Sequence, residues 1–120
     1  AFGGQMAAAF APDEGPGWDI LLSPTLAGPP ARIGRFAHDA EDYVAFRLER
    51  VFPYSPFTAA FNASGQPAAS LPLARSTGGL PVGIHLAAPF GEDETLIALC
   101  AEIEQAAPWA QHLPPIHALS

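Results

Sequence analysis

Three observations in this 120-residue chain predict an α/β fold. Ile20-Leu21-Leu22 runs apolar without alternation, as a strand covered on both faces does. Phe61 to Pro89 carries almost no charge and reads as two interior strands joined by a glycine turn. Glu92 to Trp109 has acids in its first turn, an apolar stripe of Leu96, Leu99, Cys100 and Ile103, and Pro108 after its end, which together specify a helix.

In chain order, Ala1–Phe10 is Ala-rich and predicted helical, and "APDEGPG" is a breaker-rich loop. Trp18–Thr25 supplies the first strand, stopped by Pro24. "LAGPPARIGRF" is too rich in Pro and Gly for regular structure and reads as an ordered connection. Asp39 is placed to cap a second helix, with Asp42 at its third position. Tyr43, Val44, Leu48 and Val51 would form its apolar face, with Phe46 to the side and "FPYSP" at its end. Pro56–Asn62 suggests a short helix that Gly65 terminates. Ala68–Ala74 is the second strand; Pro72 has no N–H for a ladder, so this strand should end early or be unpaired on that side. "RSTGG" turns the chain into the third strand, Leu80–Pro89.

Composition narrows the function. The chain is 49% apolar and only 14% charged, where ordinary domains are about 25% charged. That balance resembles the inside of a larger body. The net charge of −7 leaves no electrostatic footprint for nucleic acid or an anionic membrane. No apolar run approaches the roughly 20 residues that span a bilayer. No basic segment precedes an apolar one as in a secretory signal. With one cysteine, Cys100, there is no disulfide framework, and a cytoplasmic location is expected. "AFGGQMAAAF", without an initial Met, reads as the tail of an amphipathic helix cut from something upstream.

No motif supplies a complete active site. There is no G-x-S-x-G elbow; Ser70 lies mid-strand and Ser76 in a turn. His38, His85, His112 and His117 show no H-x-x-x-H spacing, and structural or exposed roles explain them. Cys100 on the helix stripe reads as a small apolar filler. Glu92, Asp93 and Glu94 decorate a helix N-terminus. Ligands in open α/β sheets gather beyond the carboxyl ends of strands. "SPTLAGPP", with Thr25 near its head, is therefore a candidate pocket wall. Phe57, Phe61 and Asn62 would add an aromatic surface with one amide; core aromatics plus a helix-terminating Asn is the alternative.

Four motifs in order carry a family resemblance. They are "WDILLSPTLAGPP", the N-x-S-G-x-P-A-x-S of Asn62 to Ser70 followed by Pro72, the G-L-P-x-G of Gly79 to Gly83, and the terminal helix with Glu104 and Trp109 at its close. Together, from Trp18 to Trp109, they resemble the C-terminal end of the amidase signature family. His85 stands where the family often has Gln, and no role is attached to it. The resemblance implies the C-terminal part of a large mixed, twisted β-sheet flanked by helices. It also implies hydrolysis of linear amides by a Ser–cis-Ser–Lys triad in a Gly/Ser-rich segment well upstream. There one Ser attacks the carbonyl, the second passes protons, the Lys is the base, and backbone N–H groups hold the oxyanion. None of these residues matches a position here, and the chain contains no lysine.

Residues 1–120 are thus expected to be one C-terminal segment of a single amidase domain. Catalysis would come from an N-terminal part or companion chain. This chain would complete the sheet and supply one pocket wall through Thr25, Phe57, Phe61 and Asn62, with Leu26–Pro56 tuning the choice of a small amide substrate. No catalytic residue, metal or cofactor is assigned to it, nor any nucleic-acid or membrane partner. A homodimer of the whole enzyme is compatible with this reading. The other reading is a small non-catalytic binding protein derived from the same fold.

Overall fold

The computed structural model describes residues 2–37 and 41–116. Its centre is a three-stranded antiparallel sheet in the order β1-β3-β2, with β1 at Leu21–Pro24, β2 at Ala68–Arg75 and β3 at Pro81–Ala87. β3 lies between the other two, so Ser23, His85 and Ser70 stand in one row across the sheet, and Leu22, Leu86 and Ala69 in the next. Successive residues of a strand face opposite sides. One face is therefore apolar and the other carries hydroxyls and an imidazole.

Helix α5 (Asp93–Ala106) closes the apolar face. Leu96 is buried against Leu71, Leu86 and Ala88, and Leu99, Cys100 and Ile103 pack at the edge of that cluster with Trp109. The stripe read from the sequence is the stripe that docks. Burying one such leucine contributes about 1.5–3 kcal/mol. Desolvation there raises the Cys100 thiol above its usual pKa, as suits a packing residue.

The hairpin turn matches its glycine signal. Gly79 has φ +78°, its N–H donates to Ser76 O, and Leu80 N–H donates to the Ser76 hydroxyl. Pro72 does not end β2. The strand continues to Arg75 with its register shifted between Leu71 and Ala74, so the missing donor falls in an irregularity of an edge strand.

Three expectations need correction. β1 is an edge strand with alternating exposure, and Leu22 is 66% exposed instead of covered on both faces. The second helix (α2, Tyr43–Phe46) begins with Asp42 as its cap, accepting from Val44 N–H and Ala45 N–H at 2.9 and 3.1 Å. Asp39 lies outside the described residues. Its expected apolar face is solvent-exposed at Tyr43, Val44 and Leu48, while Phe46, placed to the side, is buried. Phe46 lines a hollow with Leu26 and Phe36 of the preceding connection.

A π-helical turn (Arg47–Val51) follows α2, with Phe52 N–H donating to Arg47 O. The helix then continues through Pro53 to Tyr54 as α3 (Phe52–Tyr54) and ends within "FPYSP" as expected. Wider hydrogen bonding at that point suits a proline, which lacks an N–H and crowds the turn before it. Helix α4 (Ala59–Ser64) ends on Gly65 at φ +77°, as its glycine predicts, and Asn62 is inside the helix. The first helix, α1, spans Phe2–Phe10, and Phe10 meets Trp18 edge to face with ring centroids 6.5 Å apart.

The chain does not close on itself. Its 12.5 kDa would expose about 6,200 Å² as a free globule, yet it exposes 8441 Å². Its radius of gyration is 17.1 Å, against about 14 Å for a compact domain of this length.

Candidate functional site

The polar face of the sheet builds the site. Gly83 of β3 carries no side chain between Thr25 and Ser70, so those two hydroxyls meet across it at 2.6 Å. A Cβ at Gly83 would lie 2.6 Å from Thr25 Oγ1 and 2.7 Å from Ser70 Oγ, too close for both to stay. Thr25 is fixed from the backbone as well, its N–H donating to Gly83 O at 3.1 Å.

His85 sits beside this pair at the centre of β3, 3% exposed. Burial lowers its pKa below the ordinary 6.5. Ser23 Oγ lies 3.3 Å from His85 Nδ1 and donates to Pro24 O at 3.2 Å. Either partner of the Ser23–His85 contact can donate, according to the imidazole tautomer.

Helix α4 roofs the face. The Phe61 ring packs on the His85 ring at 5.0 Å between centroids. Phe61, Asn62, Thr25, Ser70 and His85 line one pocket of about 270 Å³, with Gln66 at its side. Gln66 is buried; its Oε1 accepts from the Ser64 hydroxyl at 3.0 Å, and its Nε2 has no partner among the described residues. Thr25, Ser70 and Gly83 also border a neighbouring hollow of about 410 Å³ floored by Pro29, Pro30 and Pro72.

Of the four candidate residues, the structure brings Thr25, Phe61 and Asn62 together. Phe57 is half-buried on the turn before α4 and does not line this pocket. Sequence reasoning left out Ser70, His85 and Gln66. Ser70 and His85 alternate onto the polar face, but that becomes visible only when the register pairs them with Ser23. No three His, Cys, Asp or Glu side chains gather into a metal-binding group among the described residues. No described helix is long and apolar enough to cross a membrane.

The sequence and the fold have counterparts among known proteins. The Amidase family model matches residues 4–97. The inferred amidase AmiC of Mycobacterium leprae (strain TN) is 42% identical over 94 residues, which are 78% of this chain and 19% of AmiC. The 6-aminohexanoate-cyclic-dimer hydrolase of Paenarthrobacter ureafaciens is 34% identical over 104 residues, 83% of this chain and 21% of that enzyme. A solved structure of 6-aminohexanoate cyclic dimer hydrolase complexed with substrate superposes with a TM-score of 0.72 at 35% identity, covering 83% of this chain and 22% of that one. The chain belongs to the amidase signature family and corresponds to the C-terminal portion of its members. It spans about a fifth of the length of these relatives.

Proposed function

We propose that this chain is the C-terminal part of an amide-bond hydrolase, completing its sheet and forming one wall of its substrate pocket. The nucleophile and base then reside in the remainder of the enzyme, on the same polypeptide or on a companion chain. The observation carrying this reading is the ordered match over residues 4–97 in a chain with no lysine. The excess surface and the open sheet edges support it, because they give the remainder something to cover. Thr25, Phe61 and Asn62 are the substrate-facing residues in this reading, Thr25 held by Ser70 and Phe61 by the His85 ring.

The pocket's hydroxyls and amide suit the carbonyl and N–H of an amide group, and Phe61 suits an aliphatic chain beside it. Similarity to a cyclic-dimer hydrolase supports counting cyclic amides beside linear ones as candidate substrates. A fluorophosphonate probe on the full-length enzyme tests the division of labour. Peptide mapping should find the adduct on a serine outside these 120 residues. An adduct on Ser23 or Ser70 would refute it.

A further inference from the structure

Three of the chain's five arginines border a single hollow, and its place along the substrate groove gives them a use. Arg32, Arg35 and Arg50 line a cavity of about 690 Å³ with one carboxylate, Glu49, among its lining residues. Elsewhere the chain is strongly acidic. Among the described residues none of the three guanidiniums has a carboxylate partner. Three guanidiniums against one carboxylate leave the hollow net positive, which favours an anion between them.

The setting is ordered. The Tyr54 hydroxyl donates to Pro29 O and accepts from Ala31 N–H, both at 2.9 Å, and ties the proline loop to α3. The Arg35 guanidinium lies over the Tyr54 and Phe36 rings, 5.3 and 5.6 Å from their centroids. Arg50 lies over Phe46 at 5.9 Å. Stacking on ring faces holds a guanidinium without neutralising it and leaves its edge N–H groups free for a bidentate acceptor.

The cavity neighbours the candidate site. It shares Gly28, Pro29 and Pro30 with the 410 Å³ hollow, and that hollow shares Thr25 and Ser70 with the pocket under α4. We propose that the groove takes an amide whose far end bears a carboxylate, with Arg32, Arg35 and Arg50 as the carboxylate subsite. This rests on the amidase reading for the near end. The arginines themselves bind an anion whether or not turnover occurs.

The full-length enzyme tests both parts. Adipamate, an amide with a terminal carboxylate, should be hydrolysed with a kcat/KM about tenfold above that of hexanamide, as fits one charge-assisted contact. R32Q and R50Q should each collapse that ratio toward one. Among the described residues the Arg32 side chain forms no hydrogen bond, ion pair or ring contact, so its variant has no fold-related reason to fail. Separately, calorimetry with hexanoate needs no catalysis; binding should weaken at least tenfold in the R32Q/R35Q/R50Q variant, by the same reasoning. Equal rates for the two amides, or hexanoate binding unchanged in the triple variant or absent from the wild type, would overturn the proposal. Loss of hexanoate binding with neither amide hydrolysed would leave the subsite standing and sink the amidase reading instead.

Discussion

The two faces of the sheet differ in how completely this chain finishes them. On one, Leu71, Leu86 and Leu96 meet beneath α5 in a cluster this chain supplies by itself. On the other, Thr25, Ser70 and His85 share a pocket that α4 only partly roofs. The apolar face is held by non-directional burial, which tolerates small shifts. The polar face depends on particular atoms at hydrogen-bond distance, around a glycine that no other residue can replace without displacing a hydroxyl. Burial concentrates on the first face, and the candidate site lies on the second.

Substitutions in the full-length enzyme should separate the two. Leu96→Ala should have the largest effect on stability, a loss of about 2–5 kcal/mol by urea denaturation, with kcat/KM retained wherever the protein stays folded. If it abolished turnover in a folded protein, the division between faces would be wrong. Gly83→Ala comes next. Its methyl must push Thr25 Oγ1 or Ser70 Oγ aside, costing about 1–3 kcal/mol and lowering kcat/KM for amides. A fully active variant would show that the Thr25–Ser70 contact is dispensable. Ser23→Ala removes the hydrogen-bond partner of His85 Nδ1 and should cost about 1 kcal/mol.

The smallest effect is pH-dependent and belongs to the polar face alone. Burial lowers the folded pKa of His85, so below the ordinary 6.5 the unfolded chain binds a proton that the folded chain resists. Stability is then fully present above pH 6.5 and falls as pH drops through the window down to the lowered folded value. His85→Gln should flatten that part of the stability profile. An unchanged profile would assign the acid sensitivity to other groups.

Much of the fold was legible in the sequence because local chemistry decides it. The Leu96–Ile103 stripe, Gly65 and Gly79 at positive φ, and the hairpin each follow from residues within a few positions of one another. The exposed side of α2 was misread because Tyr43, Val44 and Leu48 have the spacing of a buried face, whereas burial depends on what lies opposite. Leu22 failed for the same reason. The site was legible in part. Thr25, Phe61 and Asn62 could be placed by strand ends and a short helix. Ser70 and His85 required the pairing of β1, β2 and β3, a non-local property that no window of sequence contains. Gln66 gave no signal, since its buried, unpartnered Nε2 is purely a tertiary fact.

Amide hydrolysis assayed on these 120 residues alone, and again after adding the separately expressed N-terminal remainder, bears most directly on the account. It predicts no turnover from the isolated chain and recovered turnover on mixing. Hydrolysis by the isolated chain would contradict it.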